Sequence, residues 1–321
     1  MNRRELLKKS AAFGFMTAVP PSLYTLSSRP GSPVSAAHTL TPPARGPIPV
    51  AFLISDNAVV IDFAGPWEIF GNVMVGGRMD VFQCYTVAET GKPIKASGGM
   101  TVTPEYTFKN APTPKVLVIP AQSNSSEAVL DWIRRSSKTA DVVMSVCTGA
   151  YLLAKTGLLA GKAATTHHGS YIDLSMRFPD IQVKRGVRFV EDGNLAFSGG
   201  LSCGIDLAMR VVERYFGREQ AVQTAFDMEY QGDGWMNPNS NAVYAKARTS
   251  RDNHPLCAVC SMDVDPVNAP TSVYQGTRYS FCSQDHKRQF DSAPAKFVAL
   301  TSGSDQIRSV QLRLGKTRTS W

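Results

Sequence analysis

The feature that most constrains the fold is an apolar run that meets a cysteine and continues, after small residues, into helical spacing, over residues 142–154. This order predicts a strand, a tight turn at Cys147 and a helix. Cys147 then lies at the carboxyl edge of a sheet, beneath the first free amides of a helix, whose positive end favours the thiolate. The amide of Thr148 is placed to donate to an oxyanion. The stretch therefore predicts a nucleophilic cysteine, and the alternative is a buried structural cysteine.

Other apolar runs alternate with helical patterns along the chain. Continuous apolar runs at 49–54, 81–88 and 115–120 predict strands that are buried on both faces. Residues 204–216 carry apolar side chains at helical spacing and end at Gly217, which predicts a helix with a glycine stop. The alternation predicts an α/β fold whose parallel sheet is covered on both faces.

The formal net charge of +8 is unevenly distributed along the chain. Residues 1–36 carry +4 and residues 301–321 carry +3, which leaves +1 for everything between them. Binding of nucleic-acid phosphates needs clustered lysine and arginine side chains. The charge pattern therefore argues against a large phosphate-binding surface, and we expect no nucleic-acid partner.

The amino terminus pairs Arg3 with Arg4 and continues into a mildly apolar stretch, with small residues at 35–37. This order resembles a twin-arginine export signal over residues 1–36, followed by a linker over 37–47. The alternative is a basic disordered terminus. If residues 1–36 are such a signal, the twin-arginine translocase is a partner of this protein and the mature protein is located in the periplasm. No apolar stretch of about 20 residues occurs, so we expect no membrane span.

Four further segments follow one another in an order that points to a known family. They are VIDFAGPWE at 60–68, SVCTGA at 145–150, LLAGKAATTH at 158–167, and GIDLA at 204–208 with VERYFGR at 212–218. Together they resemble the ThiJ/PfpI family of class I glutamine-amidotransferase-like proteins, particularly the branch with isonitrile hydratases and the sensor domains of AraC-type regulators. The resemblance covers residues 48–232 and implies a flavodoxin-like sandwich. It also implies Cys147 as the nucleophile, Asp62 as an acid and Thr148 beside the cysteine, and it makes a homodimer possible.

Asp62 and Cys147 together have the chemistry for adding water to a small substrate. A carboxyl group beside a thiolate is shifted toward its protonated form by the like charge and by desolvation, so Asp62 can donate or shuttle a proton. Addition of the thiolate to an electrophilic carbon, protonation and release by water would hydrate an isonitrile-like molecule. The alternative role of Asp62 is to cap a helix ahead of Gly65 and Pro66.

Two further residues have open roles. His167 either completes a Cys–His pair for amide hydrolysis or is a structural histidine at a strand end. Cys203 lies at a second strand–turn–helix junction, where it is either a resolving thiol for oxidised Cys147 or a buried small residue.

The loop at 121–123 departs from the family, which usually has paired glycines there that help to form the oxyanion site. AraC-type relatives continue into a helix-turn-helix, and nothing after Gly232 has that pattern.

The carboxyl-terminal part follows a second predicted linker over 233–251 and carries paired potential metal ligands. Cys257 and Cys260 form a CxxC pair, and after 21 intervening residues Cys282 and His286 form a CxxxH pair. Four such ligands in two pairs are typical of a closed, tetrahedral zinc site. Thiolates would also suit copper(I), so the predicted ion is zinc or copper.

Residues 252–300 also resemble the YHS domain, a small module associated with heavy-metal handling. The matching segments are VCSMDV at 259–264, YQG at 274–276 and YSFCS at 279–283. Ser261 stands where glycine is usual, and His286 where a second cysteine is common. A module of under about 50 residues needs a metal or a docking surface to be stable. The alternative to a metal is one or two disulfides, and residues 301–321 are predicted to be a tail.

These features combine into two predictions of function. The first is an exported, cysteine-dependent hydratase or hydrolase of a small molecule, with Cys147 as nucleophile, Asp62 as acid or base and a metal-binding appendage. The second is a periplasmic metal or redox sensor in which the same fold has no turnover. A Cys147 thiol with a lowered pKa would favour the first.

Overall fold

The computed structural model describes residues 39–245 and 254–302, and for 301 and 302 it gives the helical backbone alone. The predicted export signal at 1–36, the last part of the predicted linker at 246–251 and the predicted tail from 303 onward lie outside the described residues.

The strands of the described residues are numbered in chain order. They are β1 (Ile48–Leu53), β2 (Phe82–Ala88), β3 (Ile94–Lys95), β4 (Thr101–Val102), β5 (Tyr106–Thr107), β6 (Val116–Ile119), β7 (Val142–Ser145), β8 (Ala163–Ala164), β9 (Gln182–Val183), β10 (Phe189–Asp192), β11 (Leu195–Ser198), β12 (Thr271–Tyr274) and β13 (Thr277–Ser280). Seven of them form the central sheet, in the order β10-β11-β7-β6-β1-β2-β5. All its pairings are parallel except that of β10 with β11 at one edge. This arrangement confirms the predicted α/β fold.

The central strands are apolar because helices cover both of their faces. The helices are α1 (Val60–Gly71), α2 (Glu127–Ser137), α3 (Ala150–Lys155), α4 (Tyr171–Arg177), α5 (Cys203–Phe216), α6 (Arg218–Asp227), α7 (Gln284–Ser292) and α8 (Pro294–Ser302). On one face, α1 and α5 contribute Phe70 and Leu207 to the core. On the other, α2, α3 and α4 contribute Trp132, Leu153 and Leu174. The sheet is therefore the middle layer of a three-layer sandwich.

The strand register brings chain segments from three different places to one sheet edge. Ile119 of β6 lies opposite Ser145 of β7, which in turn lies opposite Phe197 of β11. Cys147 and Gly199 each come two residues after paired positions, so they meet at the carboxyl edge of the sheet. Ligands of open α/β sheets bind at that edge.

Helix α1 packs closely on α5, and this packing brings the amino-terminal end of α1 to the same edge of the sheet. A Cβ atom on Gly65 of α1 would lie 2.8 Å from the Ile205 side chain, and one on Gly204 would lie 2.8 Å from the Val146 side chain. Larger residues at these two glycines would hold the helices apart. Their absence lets the first turn of α1, which carries Asp62, approach the residue that precedes Cys147.

The segment 233–245, predicted as part of a linker, packs on the sandwich. Trp235 is buried, and its amide donates to Asp206 of α5 over 3.1 Å. Asn241 is buried as well. Residues 233–245 are therefore packed as part of the sandwich domain.

The carboxyl-terminal module consists of the antiparallel hairpin β12–β13 followed by α7 and α8. Its core is small and holds Cys257, Val259, Val264, Phe281, Phe290 and Phe297. Ile172 and Met176 of α4 pack against this core, so the module is docked on the sandwich. In the part of the chain that the structure describes, no helix is both long and apolar enough to span a bilayer.

Candidate active site and metal cluster

Cys147 sits in a sharp turn that the ends of its two neighbouring strands hold in place. Its φ of 57° is left-handed, and a short 3-10 helix over Cys147–Gly149 leads into α3. The Val146 amide donates to the Ile119 carbonyl, and the Cys147 amide donates to the Gly199 carbonyl, both over 3.0 Å. The predicted strand, turn and helix are therefore present, with the sulfur at the carboxyl edge of the sheet.

The pKa of the Cys147 thiol is raised to about 11, which differs from the thiolate favoured by the sequence. Burial is the main cause, and the nearby Asp62 carboxylate adds to it. The backbone N–H groups of Thr148 and Leu201 and the Thr148 hydroxyl donate to the sulfur and lower the pKa, but by less. Helix α3 has only 6 residues, so its dipole is small. Desolvation therefore outweighs the donors from Thr148 and Leu201, of which only the Thr148 amide was expected.

Asp62 lies in the first turn of α1 and has no exposure to solvent. Its Oδ2 accepts the Ala121 N–H over 3.1 Å, while its Oδ1 is buried without a hydrogen-bond partner. Burial raises the pKa of this carboxyl to about 7, against a smaller opposite effect of the Ala121 N–H. The carboxylate thus binds a neighbouring loop and does not cap its own helix.

The Asp62–Cys147 pair is suited to moving a proton. Because both pKa values are raised, the thiol is protonated at neutral pH, whereas Asp62 is near the midpoint of its titration. A group with a pKa close to the working pH is an effective general acid or base. Asp62 therefore has the pKa of a general acid or base, whereas the Cys147 thiol, with a pKa of about 11, holds its proton more strongly than Asp62 does.

His167 lies against the backbone of Gly200. Its Nδ1 accepts the Gly169 N–H over 3.2 Å, and a Cβ atom on Gly200 would lie 2.3 Å from its ring. Burial and the neighbouring His168 lower its pKa, which keeps the ring neutral. The cavity that it lines has a volume of about 160 Å³ and also contains Cys203. The structure thus groups His167 with Cys203, and the contacts described for it do not include Cys147.

Cys203 is the first residue of α5 and is almost fully buried. The Asn241 side chain donates to its sulfur over 3.3 Å, and burial raises the pKa of the thiol. A Cβ atom on Gly199 would lie 3.0 Å from the Cys203 sulfur. Cys147 and Cys203 therefore flank the same glycine, which is bonded to the Cys147 amide. All six cysteines lie in the described residues, and each is a free thiol.

The chain resembles known proteins in the region that builds this site. Residues 49–214 match the DJ-1/PfpI family. The chain belongs to this family. An isonitrile hydratase from Pseudomonas putida is 33% identical over 186 residues, which are 56% of this chain and 78% of that protein. A ThiJ/PfpI family protein from Pseudomonas syringae has a solved structure with a TM-score of 0.52 and 26% identity, covering 59% of this chain and 77% of that one.

A regulator is also similar to this DJ-1/PfpI chain. The HTH-type transcriptional regulator GbdR from Pseudomonas aeruginosa is 23% identical over 187 residues, which are 57% of this chain. The aligned part is 51% of the regulator, so the chain spans about half the length of that relative. The DJ-1/PfpI match ends at residue 214, and the Cys/His pairs lie beyond it.

The four predicted metal ligands converge beside the DJ-1/PfpI domain. The ligand atoms of Cys257, Cys260, Cys282 and His286 all lie within 4.8 Å of one another. The His286 Nδ1 is 3.1 Å from the Cys282 sulfur and 3.5 Å from the Cys257 sulfur, and the Cys260 and Cys282 sulfurs are 3.6 Å apart. Neighbouring ligands of a tetrahedral site with bonds of about 2.0–2.3 Å are about 3.3–3.8 Å apart. The cluster therefore fits a metal ion that prefers sulfur and imidazole nitrogen.

The thiols of the cluster share hydrogen bonds with one another. Donation from Cys260 and His286 to the Cys257 sulfur lowers the pKa of that thiol, whereas the pKa of Cys260 is raised by this donation to Cys257 and that of Cys282 by burial. A metal binds the thiolate and not the thiol, so an ion bound here would displace the protons of all three thiols. The four residues would hold a structural metal ion, which would stabilise the fold of the module by cross-linking its two ligand pairs.

Sequence reasoning missed the two backbone amides that complete the active site. Ala121 donates to Asp62, and Leu201 donates to Cys147. Leu201 has a φ of 53°, and it follows Gly199 and Gly200. A glycine pair at the end of a strand was the available signal for a tight turn there. The sequence placed this turn at the strand–turn–helix junction of Cys203, but the contact of Leu201 with Cys147 depends on the register of β7 and β11.

Proposed function

We propose that the DJ-1/PfpI domain hydrates a small molecule with an isonitrile-like carbon, using Cys147 as nucleophile and Asp62 as acid and base. One observation carries this proposal: a fully buried carboxyl group with a pKa of about 7 and an Oδ1 without a hydrogen-bond partner lies near enough to Cys147, at the carboxyl edge of the sheet, to raise the pKa of that thiol. The similarity to an isonitrile hydratase supports the choice of substrate class.

The proposed reaction begins when the Cys147 proton passes to the Asp62 carboxylate. The thiolate, held by the Thr148 and Leu201 N–H groups, attacks the terminal carbon of R–N≡C. Asp62 returns the proton to that carbon, which gives a thioimidate, R–N=CH–S–Cys. Water adds across the C=N bond, the C–S bond breaks, and the hydroxyl proton of the adduct returns to sulfur through Asp62. The products are the formamide R–NH–CHO and the free thiol.

The test is formamide production from a small alkyl isonitrile by the purified protein. We expect Cys147→Ser and Asp62→Asn each to lower the rate by about 10²–10⁴-fold, because each removes a group that takes part in bond making. Cys84→Ala is the matched control, since it removes a thiol from β2, and it should retain the wild-type rate. Formamide production by Cys147→Ser at the wild-type rate would exclude the proposed nucleophile.

A second candidate is a metal or redox sensor without turnover. The Cys/His cluster favours it, and so does the raised pKa of Cys147, which leaves the thiol protonated at rest. In that case the wild-type protein produces no formamide from the isonitrile, while metal binding at the cluster is unaffected by Cys147→Ser. Formamide production by the wild-type protein therefore separates the two candidates.

We further infer export and a metal cofactor for this protein. The Arg3–Arg4 pair supports transport by the twin-arginine translocase to the periplasm. The three thiolates and one imidazole support zinc or copper(I), held by a YHS-like module. A small-molecule substrate and a second copy of the chain are the partners that the proposal includes.

A further inference from the structure

The Cys/His cluster is attached to the DJ-1/PfpI domain by a hydrogen bond one helical turn from a ligand. His286 and Gln289 lie three residues apart on α7, on the same side of the helix. The Gln289 Nε2 donates to Asp173 Oδ1 over 2.7 Å. Asp173 belongs to α4 of the sandwich. The helix that presents His286 is therefore anchored by a residue from outside the module.

Asp173 is itself held from the sandwich side. It is 6% exposed, its Oδ1 also accepts from Arg177 Nε over 2.9 Å, and its Oδ2 accepts from the Tyr151 hydroxyl. Tyr151 lies on α3, directly after the Cys147 turn. A carboxylate that accepts from two donors of its own domain has a fixed position, so it can fix the position of a third group that bonds to it, here Gln289.

The other ligand pair contacts the same part of the sandwich. A Cβ atom on Gly169 would lie 3.0 Å from the Cys260 carbonyl oxygen, so the CxxC turn lies against the backbone just before α4. Ile172 and Met176 of α4 pack on the module core. Residues 169–177 thus contact both halves of the ligand set, the turn of the first pair and the helix of the second.

We propose that Asp173 is a positioning residue of the metal site, so that the DJ-1/PfpI domain completes a centre whose ligands all come from the module. The proposal rests on the proposed metal site and is independent of turnover at Cys147. Residues that orient metal ligands from outside the ligand set typically contribute 10–100-fold to metal affinity. Because linkage is reciprocal, an ion that binds more tightly to the docked module also strengthens docking by the same factor.

The test measures zinc affinity of the full chain by competition with a chromophoric chelator. We expect Asp173→Ala to weaken zinc binding by about 10–100-fold. Asp173→Asn should recover part of the loss, because its amide oxygen can still accept from Gln289. Asp180→Ala changes an exposed acidic residue of the same domain and should bind zinc like the wild type. Equal zinc affinity of Asp173→Ala and the wild type would overturn the proposal.

A second variant covers the case in which Asp173→Ala does not fold. Gln289→Ala leaves the bonds of Asp173 to Tyr151 and Arg177 in place and removes only the anchor of α7. We expect it to weaken zinc binding in the same range, whereas Gln284→Ala, an exposed glutamine of the same helix, should not. Wild-type affinity of Gln289→Ala would also overturn the proposal.

The reciprocal effect is measured by amide hydrogen exchange. Addition of zinc to the wild type should slow exchange over residues 169–177, and this protection should be reduced in Gln289→Ala. Unchanged exchange at 169–177 on zinc binding would contradict coupling. Repeating the zinc titration with Cys147→Ser separates this proposal from the proposed reaction, because loss of turnover there should leave the zinc affinity unchanged.

Discussion

Asp62 has one oxygen bonded to the Ala121 amide and another with no partner, and neither is reached by solvent. A carboxylate in this position is costly, because desolvation disfavours the charged form and one hydrogen bond offsets only part of that cost. The same burial that makes Asp62 able to exchange a proton near neutral pH therefore destabilises the folded protein. Active sites commonly combine the two effects.

The first prediction concerns how Asp62 makes stability depend on pH. The pKa of Asp62 is about 7 in the folded protein, above its ordinary value of 3.8, so folding favours the protonated form. Its contribution to stability is present below about pH 4 and is lost as the pH rises through about 7. Asp62→Asn stays neutral, so its free energy of unfolding relative to the wild type should increase by about 2 kcal/mol between pH 5 and pH 8.

Urea unfolding of the two proteins at several pH values measures this difference. Asp180→Asn, at an exposed position, serves as the control and should show no such trend. A difference between Asp62→Asn and the wild type that stays constant from pH 5 to pH 8 would mean that Asp62 is ionised throughout, and the proton-transfer role would lose its basis.

The residues of the pair followed from the sequence, but their charge states did not. An apolar run ending in Cys147 and a family motif containing Asp62 are local patterns, so both positions were predictable. The direction of the Cys147 pKa depends on how far the sulfur is buried and on the distance to Asp62, which are tertiary quantities. For the same reason the sequence could not show that His167, a strand-end histidine, lines a cavity together with Cys203.

At the scale of elements, the Cys147 turn depends on a short distance between the start of α3 and the carboxyl end of β6. Gly149 makes this approach possible, since a Cβ atom there would lie 2.2 Å from the Ile119 carbonyl oxygen and 2.9 Å from that of Pro120. Both contacts are with backbone, which cannot rotate away. The requirement for glycine here comes from space, and not from a left-handed backbone conformation.

The second prediction is that Gly149→Ala destabilises the protein by about 1–3 kcal/mol or more, because the end of β6 or the Cys147 turn must move. Gly71→Ala is the matched control. Gly71 lies at the end of α1 with open space around its Cβ position, and alanine is the better helix former. Thermal unfolding of both variants provides the comparison. Equal melting temperatures for Gly149→Ala and Gly71→Ala would show that the turn adapts.

Most elements of the sandwich were predictable, and the exception has a physical reason. Continuous apolar runs identified β1, β2, β6 and β7, because buried parallel strands need apolar side chains on both faces. The segment 233–245 has the Gly, Asn and Pro content of a linker, yet Trp235 and Asn241 are buried in it. A single aromatic residue in an irregular segment gives no periodic signal, so its docking on Asp206 could not be foreseen.

At the scale of the whole molecule, the chain joins a large domain to a module that has little core of its own. The core of the module contains six buried residues, among them Phe290 and one of the four potential ligands, Cys257. A core of this size rarely stabilises an independent fold without a metal or disulfides. Its cysteines are free thiols, so stabilisation is left to an ion and to the contact with α4.

The third prediction rests on the proposed metal site: removing the ion should unfold the module and leave the sandwich folded. Treatment with a chelator should increase amide hydrogen exchange over residues 257–300, because metal binding contributes directly to the folding free energy of so small a unit. Exchange over the buried strands β1, β6 and β7 should not change, since the sandwich core does not include the ligands.

The variant Cys282→Ser should reproduce the effect without a chelator. Cys282 is the best of the four ligands to replace, because its side chain is exposed and its replacement leaves no cavity in the core. Elemental analysis confirms loss of the metal in each case, and a module that keeps its protection after that loss would show that docking on α4 alone is sufficient to fold it.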